Sequence, residues 1–176
     1  MKSDYETLIR TEAANPRRLH QKIHETLPYR RKHRKGYKDW KAACEAFHSY
    51  KSPLFPYIRR AYEEKHYADE DILEFVVCFL ELNPWFFNSG YFKEKMLRKL
   101  GSSTLPEHFE RRLRDVLLDA VDRRGSREFR HYCRLAARIA DQELVDRLCQ
   151  AKRGGDEKRA RRAKMMLHYI EQHAET

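Results

Sequence analysis

Residues 68–82 read Ala-Asp-Glu-Asp-Ile-Leu-Glu-Phe-Val-Val-Cys-Phe-Leu-Glu-Leu. Set on a 3.6-residue period, Ile72, Leu73, Phe75, Val76, Val77, Phe79 and Leu80 cover most of a helix circumference. Asp69, Glu70 and Asp71 fall in its first turn, where the helix dipole favours acids. A helix that is apolar nearly all round belongs at the centre of a molecule, so this stretch predicts a helical core. Asn83-Pro84 ends it.

The same spacing recurs on both sides. Asn15-Pro16 reads as a helix start, followed by Leu19, Ile23 and Leu27 at four-residue intervals and a stop at Pro28. Tyr29 to Tyr37 (YRRKHRKGY) carries no apolar stripe and reads as a basic loop. Trp40, Ala43, Cys44 and Phe47 then share one face of a helix over 37–50. Ser52-Pro53 opens another, with Phe55, Ile58 and Tyr62. Beyond the central helix, Ser89 starts a helix that Gly101 closes. Thr104 and Glu107 have the three-residue spacing of a capping box ahead of Phe109, Leu113, Val116, Leu117 and Val121. Gly125 breaks that helix and Ser126 caps the next, which holds Phe129, Tyr132, Cys133, Ala136 and Ile139. Asp141 caps a shorter one. Gly154-Gly155-Asp156 marks a turn and a cap before a last helix with Ala160, Ala163, Leu167 and Ile170 inward. No stretch alternates as a strand does. The expectation is an all-α single domain over 1–176 with about nine or ten helices.

Composition bounds the rest. The 176 residues hold six Gly and six Pro, too few turn-formers for an all-β sandwich. The longest apolar run, Phe75 to Leu80, is far short of the about 20 residues of a membrane-spanning helix. Lys2, Asp4, Glu6 and Arg10 interrupt any apolar leader, and Cys44, Cys78, Cys133 and Cys149 form no CxxC pair. A cytoplasmic protein with reduced thiols is expected.

The net charge of +10 is uneven. Residues 16–41 hold ten Lys/Arg against two Asp/Glu, and residues 152–164 hold seven against two, whereas 42–151 balance. Localised basic segments point to an anionic partner: nucleic acid or an acidic protein face. In the first segment Arg30, Arg31, Lys32, Arg34, Lys35 and Lys38 are interleaved with Tyr29, Tyr37 and Trp40, pairing phosphate neutralisers with rings able to stack on bases. Arg127, Arg130, Arg134 and Arg138 line one helix face opposite the apolar stripe, and Lys158, Arg161 and Arg162 share a face of the last helix. Stacked helices could merge those two faces.

Other chemistry finds little support. His20 and His24 share a helix face but lack further ligands at zinc spacing, and His131 and Cys133 diverge. Cys44 and His48 are four apart, yet Cys44 aligns with the core residues Trp40 and Phe47. Glu63, Glu64, His66 and Asp69–Asp71 read as helix-end acids rather than nuclease carboxylates. The aromatic run Trp85-Phe86-Phe87 with Tyr91-Phe92 reads as a buried hinge plug in which Trp85 reaches the surface.

From residue 69 onward the helices pair at intervals of about 30 to 35 residues, the period of helical solenoids. Gly155-Asp156, Arg162-Ala163 and Met166-Leu167 resemble the second half of a HEAT-type repeat, with an Asp opening the helix, an Arg in its first turns, and a small residue and a Leu inward. The resemblance implies antiparallel hairpins over 69–176, stacked as a right-handed solenoid and serving as a curved, non-catalytic scaffold, with basic N-terminal helices and loop over 16–51.

The leading expectation is therefore a non-enzymatic binding protein that holds DNA or RNA by its phosphates. The alternative is a protein–protein module, such as an adaptor, inhibitor, immunity protein or complex subunit, facing an acidic partner. A third reading is a helical-repeat enzyme acting on nucleic acid, which needs an Asp or Glu deep in a basic groove. No catalytic residue, metal site, cofactor or small-molecule substrate is expected.

Overall fold

The computed structural model describes residues 2–86, 88–123 and 128–174. Those residues form nine α-helices: α1 (Lys2–Thr26), α2 (Arg34–Ser49), α3 (Phe55–Glu63), α4 (Glu70–Leu82), α5 (Ser89–Leu100), α6 (Glu107–Asp122), α7 (Phe129–Ile139), α8 (Gln142–Arg153) and α9 (Glu157–Ala174). A 3₁₀ turn, Leu27–Tyr29, joins α1 to α2. No strand occurs among the described residues, and none of their helices is long and apolar enough to cross a membrane.

The central helix is as expected. Asp69 caps α4, its carboxylate accepting from the N–H groups of Asp71 and Ile72. Eight consecutive-face residues from Ile72 to Leu80, Phe75 and Phe79 among them, are buried. Around α4 the helices contact each other in two alternating series. One runs α3, α5, α7, α9, each touching the next; the other runs α1, α4, α6, α8. Cross-contacts between α3 and α4, α6 and α7, and α8 and α9 tie the series together.

A recurring device holds helix ends in place. The last carbonyls of a helix lack intrahelical donors and carry partial negative charge, so a neighbouring cation both bonds and neutralises them. Lys99 of α5 is buried and donates to the carbonyls of Ala61 and Tyr62, at 3.0 and 2.6 Å, and to that of Glu64, at the end of α3. Arg114 of α6 donates to Ile139 O, 2.9 Å, at the end of α7. Arg138 of α7 donates to Gly101 O and Ser103 O just past α5, and Arg162 of α9 donates to Val121 O, 2.6 Å, in the last turn of α6.

Several local expectations are corrected. Asn15-Pro16 does not start a helix: α1 runs through Pro16, because Tyr5 and Ile9 bury the preceding turns in the core. Asn15 instead donates its amide to Glu12 and Tyr50. The loop over 29–37 is shorter than its composition suggests, since α2 starts at Arg34 with His33 as its cap. The Thr104–Glu107 box does not form; α6 begins after an extended Pro106 with no side-chain cap. Buried Ser103, whose hydroxyl accepts from Tyr67 N at 2.8 Å, and buried Leu105 anchor the approach to α6. Phe55 and Tyr62 of α3 are exposed and only Ile58 of that trio is buried. The break at Gly125 and the cap at Ser126 lie outside the described residues.

Candidate functional site

α2 packs against α1 and the 27–29 turn, so the second half of α1 and all of α2 make a two-helix arm. Its base is fastened by a buried carboxylate. Glu12 Oε2 accepts from the hydroxyls of Tyr50, 2.5 Å, and Ser52, 2.8 Å. Burial and the hydrogen bond to Glu12 both push the Tyr50 phenol above its usual range. Without these donors a carboxylate so enclosed would be costly.

The tip is as closely built as the base. Lys32 N donates to Tyr29 O, closing the turn. His33 Nδ1 accepts from Gly36 N at 2.8 Å, which satisfies a free donor in the first turn of α2. Gly36 lies against the backbone of Tyr29: a Cβ there would meet the Tyr29 carbonyl oxygen and stand 2.9 Å from Tyr29 Cβ. A side chain at 36 would therefore push the tip open.

On this frame residues 27–38 carry six cations and no acid. Arg31, Lys32, Arg34, Lys35 and Lys38 are exposed, and no carboxylate among the described residues lies within ion-pair range of them. Arg30 is half-buried with its guanidinium 4.7 Å over the Trp40 ring, and Lys32 Nζ lies 5.1 Å over Tyr29. Tyr29 and Tyr37 are exposed; Trp40 is half-buried, 6.1 Å from the Tyr37 ring, with its indole N–H enclosed and unpartnered. Tyr37 thus offers an exposed ring, whereas Lys32 already lies over Tyr29 and Arg30 over Trp40.

The other basic residues behave differently. In α7, Arg130, Arg134 and Arg138 are exposed while Phe129, Cys133 and Ala136 are buried, the opposition that the period requires; Arg127 lies outside the described residues. Arg138 and, on α9, Arg162 are committed to the carbonyls of α5 and α6 described above. Arg130, Arg134, Lys158 and Arg161 remain exposed without a carboxylate in range among the described residues. The acids that flank the α7 stripe in sequence are engaged elsewhere: Asp141 pairs with Arg114 at 2.8 Å, and Glu128 is buried beside Lys93.

No group of three His, Cys, Asp or Glu among the described residues can hold a metal ion, and the His20 and His24 rings simply pack edge to face. Of the acids at 63–71, Glu63 pairs with Arg59, and Asp69 and Asp71 pair with Arg60. Cys133 is sealed in the core, where burial pushes its thiol up to about 12.

Two features escape a reading by sequence. One is a cleft of about 490 Å³ lined by Tyr62, Tyr91, Lys95 and Arg98, which sets Lys95 Nζ 4.6 Å over the Tyr62 ring. The other is the seating of Trp85 beneath Arg17 of α1, the guanidinium 5.1 Å from the ring centre. Isolated tyrosines and arginines spread over different helices carry no signal of meeting.

No family model matches the sequence, and comparison with curated proteins and with solved structures returned no match.

Proposed function

We propose that this protein is a non-enzymatic scaffold that holds nucleic acid by its phosphates, with the arm tip as the principal contact and the exposed arginines of α7 and α9 as secondary ones. The supporting observation is a contrast in pairing. Elsewhere among the described residues Arg10, Arg59, Arg60, Arg112, Arg114, Arg123, Arg147 and Arg159 each have an acid in range, Arg138 and Arg162 have a carbonyl, and the arginines without either are spread over several helices. At the tip, five exposed cations have none. Concentrated, unneutralised charge on an exposed turn repels itself and is tolerated where an anion compensates it. Backbone contacts of this kind carry no base readout, so affinity exceeds sequence specificity. Two alternating series of helices, crossed between α6 and α7 and between α8 and α9, support extending the proposal to a HEAT-like stack for the body.

Replacing Arg31, Lys32, Arg34, Lys35 and Lys38 with Ser tests this and leaves Arg30 on Trp40. Six phosphate contacts predict about a thousandfold loss of affinity between 50 and 200 mM salt, and removing five flattens the log–log slope by up to about 4. Gel shifts over a salt series measure both. An unchanged slope in the variant, or no binding by the wild type at low salt, refutes the proposal; binding to an acidic protein alone supports the adaptor reading instead.

A further inference from the structure

Trp85 is the most exposed large apolar side chain among the described residues, at 71%. The loop that presents it is costly to build. Asn83 and Asn88, at its two ends, both adopt left-handed backbone, φ 45° and 67°, and they are the only non-glycine residues described that do so. Such conformations persist only where their surroundings enforce them. Here Lys93, itself buried, donates to Asn83 Oδ1 at 2.5 Å, and Ser89 Oγ accepts from Phe86 N at 3.2 Å. Pro84 and Phe86, on either side of Trp85, are buried. Two anchors and two left-handed turns thus hold an indole out in water, which a merely structural loop has no reason to do.

The neighbours of the indole on α1 combine cationic side chains with small apolar ones, Arg10, Arg17 and Arg18 with Ala13 and Ala14. Arg17 lies 5.1 Å over one face, and Arg10, Arg18 and Gln21 line the same cleft of about 340 Å³. Arg10 is paired with Glu6, whereas Arg18 is exposed with no carboxylate in range among the described residues. Indole and guanidinium planes both stack on nucleobases regardless of sequence. The bases of a duplex are already stacked on one another and offer no free face, so the platform discriminates for unpaired ones. Arg17 is ten residues before Leu27, about 15 Å down the helix axis from the arm tip. One strand can therefore lie along α1 with its phosphates on the tip and a base at Trp85.

We propose that Trp85, backed by Arg17, is a stacking site for an unpaired base, so that the nucleic acid held by the arm is single-stranded where it passes the arm's base. This rests on the phosphate-binding reading above. In a Trp40→Phe background Trp85 is the sole tryptophan, and oligothymidylate should quench its emission while a duplex of equal length does not. In the otherwise wild-type chain, Trp85→Ala should weaken oligothymidylate binding roughly tenfold and leave duplex binding unchanged, with Trp85→Phe between the two. If Trp85→Ala binds both probes as tightly as the wild type, or loses both equally, while the arm-tip variant loses both, the stacking site is refuted and the arm reading stands. If the wild type binds neither probe at low salt, the arm reading falls and this inference with it.

Discussion

Replacing Arg112 with Met should destabilise the protein by about 3 kcal/mol. Arg112 of α6 is 20% exposed and sits between two carboxylates of α4, Glu74 and Glu81, which are 16% and 25% exposed. Its guanidinium donates four hydrogen bonds of 2.7 to 2.9 Å, two to each carboxylate. These bonds hold the guanidinium further into its charged form than in water, against the opposing effect of burial. Taking the cation away removes the shared partner of two half-buried carboxylates that lie two turns apart on one face of α4. Breaking a buried pair in this way costs about 3–5 kcal/mol; the residual solvent at Glu81 places this site at the lower end. With a urea slope of about 2 kcal/mol/M, the midpoint followed by circular dichroism should fall by about 1.5 M. The triple replacement Arg112→Met, Glu74→Leu, Glu81→Leu should recover most of that, because it leaves no charge unpaired. A single variant within 1 kcal/mol of wild type, or a triple variant as weak as the single, refutes the reasoning: the first denies the network a role, the second assigns the loss to packing.

Gly36→Ala should loosen the arm and spare the body, since the new methyl meets the Tyr29 backbone and no rotamer relieves it. A cost of about 1–3 kcal/mol confined to the arm appears as faster amide exchange in α2 with unchanged exchange in α4; equal exchange in both variants and helices contradicts the close approach. Burial, with Glu128 opposing it, pushes the Lys93 ammonium down to about 8. A base whose folded value lies below its unfolded one, about 10.4, binds fewer protons when folded, so its contribution to stability rises with pH between those values. The difference in denaturation midpoint between the wild type and Lys93→Met should therefore shift in favour of the wild type from pH 8 to 9.5, a comparison in which the opposing titration of the buried Cys133 thiol cancels; a difference that does not change with pH rejects the assignment.

How far the chain could be read in advance depended on the range of each signal. The core of α4 and the caps at Asp141 and Asp156 were legible because the period and the caps act within four residues, whereas Asp69, read as a first-turn acid, proved to be the cap of α4. Pro16 misled because helix continuity there is decided by Tyr5 and Ile9 packing in the core, contacts that local spacing does not encode. The same holds for charge. The cations at 30–38 form a run, and a run is visible. Arg138 looks like its neighbours Arg130 and Arg134 until its acceptors are known, and they lie 35 and 37 residues away. Trp85 illustrates a third case: its exposure was expected, but its partner on α1 is 68 residues earlier, so the cleft could not be foreseen.

The arm has a geometric corollary. Because α2 rests on α1 and the intervening turn, the hairpin can be lengthened without repacking the body. Inserting seven residues into each strand of the hairpin, two helical turns that preserve the facing surfaces, moves the tip outward by about 10 Å. The clasp at Glu12 and the seat of Trp85 beside Arg17 stay where they are. The molecule is in this sense a caliper with one fixed jaw and one adjustable jaw, and the separation between its two proposed contact points is set by a count of residues.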